Sequence, residues 1–80
     1  MIDEITRDQL RVSTDGVAGP YLMVPMTQLA RVREVLDLHG VHYWPDADAI
    51  SLDGRPAIAV INFGRAGDAS RIQHLLDEAG

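Results

Sequence analysis

The sequence predicts an α+β domain built from a duplicated ββα unit, folded as a four-stranded antiparallel sheet with two helices on one face. Three observations carry that expectation. Arg71-Ile72-Gln73-His74-Leu75-Leu76-Asp77-Glu78-Ala79-Gly80 lies on Arg31-Val32-Arg33-Glu34-Val35-Leu36-Asp37-Leu38-His39-Gly40 at an offset of 40. Ile50-Ser51-Leu52-Asp53-Gly54 lies on Val12-Ser13-Thr14-Asp15-Gly16 at an offset of 38. Both units also keep one order of parts, strand, turn, strand, helix, and self-similarity of this kind specifies architecture before any other signal. The units span about residues 5–40 and 43–80 of a single domain, 1–80.

The first unit opens with the alternating segment Gln9-Leu10-Arg11-Val12-Ser13, a turn at Asp15-Gly16, and the apolar run Pro20-Tyr21-Leu22-Met23-Val24. The second opens with Ala49-Ile50-Ser51-Leu52, a turn at Asp53-Gly54, and Ala57-Ile58-Ala59-Val60-Ile61-Asn62-Phe63. Asp-Gly favours a hairpin because glycine reaches positive φ without a Cβ clash. Thr27 is placed to cap the first helix. Its apolar stripe runs through Leu29, Val32, Val35, Leu36 and His39 until Gly40 ends it. Asp68 or Gly67 starts the second helix, whose stripe of Ala69, Ile72, Leu75, Leu76 and Ala79 matches the first position for position.

A ββαββα order is a circular permutation of the ferredoxin-like order βαββαβ. It places the second and fourth strands at the centre of the sheet. The polar segments 9–13 and 49–52 then fall at the edges, where charge and polarity discourage pairing with foreign chains. The two central segments are apolar at both parities: Ile58 and Val60 point one way, Ala59, Ile61 and Phe63 the other. A sheet with one wet face alternates, whereas continuous apolar runs imply that both faces are covered. Two helices on one side leave the second face for another cover, which a homodimer packed sheet to sheet, a protein partner or an apolar ligand would supply.

Composition narrows the classes. The chain is 46% apolar and 24% charged, with no cysteine, so disulfides and thiolate metal sites are excluded and packing alone must hold the domain. The net charge is -5, and the seven arginines are scattered rather than gathered into a basic stripe, which argues against nucleic-acid binding. No run of apolar residues is long enough for a membrane span and no charged-then-apolar leader is present, so the expected location is cytoplasmic.

Three groups of residues are candidates for function. Trp44, Tyr43, Tyr21, Ile58 and Val60 are the expected interaction surface, because large aromatic side chains bury much area at little entropic cost. Trp44 also reads as a lid on the end of a small core. Gly64, Arg65 and Gly67, in the loop before the second helix, are candidates for anion binding through backbone amides and a guanidinium, although the loop has neither a full P-loop nor a dinucleotide fingerprint. His39, His42, Asp46 and Asp48 are candidate ligands for a borderline metal. The competing role for His39 is a partly buried place in the helical stripe, and for the aspartates it is protection of an edge. His74, matching Glu34 outside the stripe, is expected to be exposed. No nucleophile elbow surrounds Ser13, Ser51 or Ser70, and no cofactor motif is present. The leading expectation is a small acidic, non-enzymatic interaction or regulatory module; the alternative is a small-molecule, anion or metal-binding domain.

Overall fold

The computed structural model describes residues 1–15, 17, 19–46 and 57–79. The elements run β1 (Tyr21–Pro25), a 3-10 turn (Met26–Gln28), α1 (Leu29–Leu38), β2 (Trp44–Pro45), β3 (Ile58–Asn62) and α2 (Ala69–Ala79). They make an α+β domain with a three-stranded antiparallel sheet in the order β1-β3-β2. The two apolar runs pair with each other as expected, Leu22 opposite Ile61 and Val24 opposite Ala59. Trp44 and Pro45 flank β3 on its other side, opposite Asn62 and Ile61. The third expected strand, 49–52, and the Asp53-Gly54 turn lie outside the described residues.

Alternation along β1 and β3 sends Leu22, Val24, Ala59 and Ile61 to one face, where they are fully buried together with Phe63. Both helices supply the other half of this core through Val32, Leu36, Ile72 and Leu76. The apolar stripes coincide as the repeat requires. Val32 and Ile72 are buried at one level, Leu36 and Leu76 at the next, and the flanking pairs Leu29 with Ala69 and Val35 with Leu75 are half-buried.

The duplication extends to contacts that periodicity does not reveal. Arg31 Nη2 donates to the carbonyl of Ala79 at 3.2 Å, and Arg71 Nη2 donates to the carbonyl of His39 at 3.0 Å. Each helix therefore offers a first-turn arginine to the C-terminal carbonyls of the other, where acceptors lack intrahelical partners and a cation suits the macrodipole. Behind α1, Gly40 takes φ +66°. Its N–H bonds Asp37 O at 3.1 Å and that of Val41 bonds Leu36 O at 2.9 Å, a Schellman closure. At the equivalent place behind α2, the Met1 amine donates to Leu76 O. Met1 stands to α2 as Val41 stands to α1, 40 residues on in each case.

Several expectations are corrected. Residues 9–13 do not form an edge strand: only Ser13 bridges Tyr21, through reciprocal bonds of 2.8 and 3.0 Å, and seven residues separate the pair. Gln73 ties this segment to α2 instead: its Oε1 accepts the Val12 N–H at 2.8 Å and its Nε2 donates to Leu10 O at 2.9 Å. Leu10 is thereby drawn into the core, and Ile2 bridges Gln9 in the arm that precedes it.

Thr27 does not cap α1. The chain enters the helix through the 3-10 turn, which leaves the Thr27 hydroxyl to donate to Glu4 Oε2 at 3.1 Å. Buried Gln28 instead ties the helix start to the arm, accepting from Glu4 N–H at 3.1 Å and donating to Ile2 O at 2.7 Å. His39 is exposed rather than packed in the stripe, because it is the C-cap, where φ -98° and ψ 8° have left helical geometry. Asp68 does cap α2, its Oδ1 accepting the Arg71 N–H at 3.0 Å. His74 is exposed and pairs with Glu78 at 3.1 Å, a surface contact of little energetic weight. Among the described residues, no helix is long and apolar enough to cross a membrane.

Candidate functional site

Pairing register builds the sheet's outer face directly. Tyr21, Asn62 and Trp44 form one row across the three strands, Met23 and Val60 the next, and Pro25 with Ile58 the third. The helices pack on the opposite face. Met23 remains 47% exposed and Trp44 60%, while Ile58 and Val60 are half-buried by their neighbours in the sheet. Four of the five expected interaction residues thus share one surface. Tyr43 does not join them. One residue before Trp44, it points to the helix side, where its hydroxyl donates to Asp37 Oδ1 at 2.8 Å and accepts from Arg33 Nε at 3.3 Å. That hydrogen bond holds the Arg33 guanidinium above its ordinary value.

Tyr21 is tied to the loop beside it. Its hydroxyl donates to Asp15 Oδ1 at 2.8 Å, which raises the phenol above its ordinary value, since ionisation would break the bond and set two anions together. With a raised folded-state value, the stabilising effect of this contact is present below the unfolded tyrosine's range near 10 and is lost as pH rises through the folded value. Titration of Tyr21 followed by its ¹³Cζ shift is expected to end above that of a free tyrosine, and Asp15→Ala to bring it back. An unchanged midpoint in the variant would refute the contact.

The segments 39–46 and 64–72 converge at one end of the molecule. Trp44, His42, Phe63, Gly67, Asp68 and Arg71 are among the residues lining a cleft of about 320 Å³ there, with Ile72 and Val41 completing its apolar surface. The indole wall depends on a glycine. A Cβ on Gly64 would lie 3.1 Å from Trp44 Cζ3, and Gly64 takes φ +74°. Gly67 admits Phe63 beneath the loop: a Cβ there would fall 2.8 Å from Phe63 Cβ and 2.9 Å from its carbonyl oxygen.

These contacts reassign the loop. The Gly67 N–H bonds Gly64 O at 3.0 Å, closing a turn on itself instead of presenting the amide to an anion. Arg65 is exposed on that turn and does not line the cleft. The guanidinium that does so is Arg71, which sequence reasoning missed. The signal was present in the repeat: Arg71 lies on Arg31, a first-turn position facing the other helix.

Of the candidate metal ligands, His42 lines the cleft and His39 is exposed nearby. The Asp46 N–H bonds Val60 O at 2.7 Å and extends the edge of β2. Asp48 lies outside the described residues. Among the described residues, no three histidine or carboxylate side chains gather as a metal site. No protein-family model matches this chain, and no curated protein or solved structure shows significant similarity to it.

Proposed function

We propose that the protein is a small acidic, non-enzymatic interaction or regulatory module that acts as a homodimer through the outer face of its sheet. The observation that supports this reading is the row structure of that face: Tyr21, Met23, Ile58 and Val60 stand on the side of the sheet opposite both helices, with Trp44 in the row of Tyr21 at the end where the cleft opens. Exposed apolar area of this kind marks interaction surfaces, and aromatic and methionine side chains are the types enriched in them. The same reading takes the sheet as that of a permuted ferredoxin-like fold. It places the module in the cytoplasm with a protein rather than a nucleic acid as partner, in keeping with the net charge of -5 and the scattered arginines.

Sedimentation velocity across the micromolar range tests it. The wild type is expected to sediment as a dimer and Val60→Asp as a folded monomer, because a carboxylate buried against a second apolar sheet lacks a partner. A wild-type monomer throughout that range refutes the dimer.

A second reading is favoured by a specific observation: the segments 39–46 and 64–72, which hold the candidate metal and anion residues, meet at the cleft. In it the cleft is a binding site for a small molecule. A thermal-shift screen tests this reading, since a ligand bound only by the folded chain raises its apparent stability. Response to no amino acid, nucleotide or organic acid would count against it.

A further inference from the structure

The cleft is asymmetric in chemistry where the fold is symmetric in shape. At the equivalent end of the molecule, Arg31 lies beside the N-terminal arm, and Met1, Ile2, Glu4 and Gln28 line the smaller recess there. Forty residues on, Ile2 and Glu4 are replaced by His42 and Trp44. Both ends carry a recess lined by the equivalent arginine, and only the cleft combines that guanidinium with an indole in its lining.

The charge around the cleft also differs from that of the chain as a whole. Arg71 and His42 line it with Asp68, the one carboxylate among the lining residues, and Arg65, His39 and Asp46 stand on the segments that form it. The Asp68 carboxylate is engaged as the cap of α2. Arg71 is held at its station by one bond, from Nη2 to the carbonyl of His39, and among the described residues no carboxylate pairs with it. A guanidinium fixed through one nitrogen keeps its other N–H donors for a planar acceptor, which matches a carboxylate better than a point charge would. A volume of about 320 Å³ lies at the small-ligand end of the range for binding clefts and suits one or two fused rings.

From this combination we propose that the cleft binds a small planar aromatic carboxylate, its ring against Trp44 and its carboxylate on Arg71. The inference rests on the second reading above, that the cleft is a ligand site, and adds the class of ligand. The exposed indole supplies area for ring stacking, and the arginine supplies the charge-assisted bonds that set orientation.

The test is an NMR titration of the full chain with 2-naphthoate, the neutral 2-naphthamide and the cationic 2-naphthylmethylamine. The naphthoate is expected to shift the Trp44 Nε1–H, the Arg71 Nε–H and the Gly67 amide together, and to bind about tenfold more tightly than the amide. Arg71→Gln, with α2 amide shifts retained, removes that preference; Trp44→Ala weakens all three probes. Equal binding of naphthoate and naphthamide, or tighter binding of the amine, overturns the carboxylate assignment while leaving the cleft a ligand site. Shifts confined to residues away from the cleft, or none with any probe, overturn the ligand site as well.

Discussion

Leu36→Ala and Leu76→Ala are each expected to cost about 3 kcal/mol, and to cost nearly the same. Both side chains are fully buried at the same level of the two helices, facing Leu22 and Ile61 in one core. Truncating a buried leucine removes its transfer free energy and leaves a cavity that neighbours fill only in part, a loss of roughly 2 to 5 kcal/mol. A domain of this size has a total stability of roughly 4 to 12 kcal/mol, so each change consumes a large share of it. Leu38→Ala, at a side chain 81% exposed on the same helix, is the control and is expected to fall within about 0.5 kcal/mol of wild type. Urea unfolding followed by circular dichroism reads all three. Tolerance of one buried substitution but not the other would mean that the two helices do not share the core as the repeat implies.

Gly19→Ala is expected to destabilise by about 3 kcal/mol or more, for reasons unrelated to burial of apolar area. Gly19 takes φ +105°, a conformation in which a side chain is strained by about 1 to 2 kcal/mol. A Cβ there would also stand 2.4 Å from the carbonyl oxygen of Gly64 and 2.8 Å from the nitrogen of Arg65. Both neighbours are backbone, so relief requires moving the loop that carries Trp44's glycine and the start of α2. Gly40→Ala isolates the strain term: Gly40 has φ +66° and open space around the added carbon, and about 1 kcal/mol is expected. The difference between the two variants measures the close approach of residues 19 and 64. Equal losses would deny it.

Much of the fold was legible because it follows from spacing. The two stripes, the two apolar strands and the Asp68 cap are local consequences of 3.6- and 2-residue periods and of a carboxylate placed before a helix. The departures share a cause. Residues 9–13 alternate like a strand, yet their backbone is bonded by a glutamine on α2, 61 residues from Val12. Thr27 has the right chemistry for a cap, but Gln28, bonded to Ile2 and Glu4, sets where the helix begins. His39 fits the stripe by number and leaves it because the helix has already ended.

The candidate site divides in the same way. Trp44 and His42 were conspicuous as residue types, and Gly64 to Gly67 as an insertion into the repeat. Their meeting in one cleft depends on the pairing of β2 with β3, which sets Trp44 opposite Asn62 and beside the loop that follows it. Arg71 could be read from the sequence only as one more helical cation; its partner is a backbone carbonyl, which has no residue type to recognise.

By itself the sequence determined the duplication, through its offsets of 40 and 38, and the inward faces of both helices and both apolar strands, through the period of each element. Tertiary structure alone decided that Met1 and Leu10 complete the core and that Arg71 rather than Arg65 lines the cleft with Trp44. These are contacts between segments remote in sequence, and distance along a chain carries no record of which backbone groups will lack a partner once it folds.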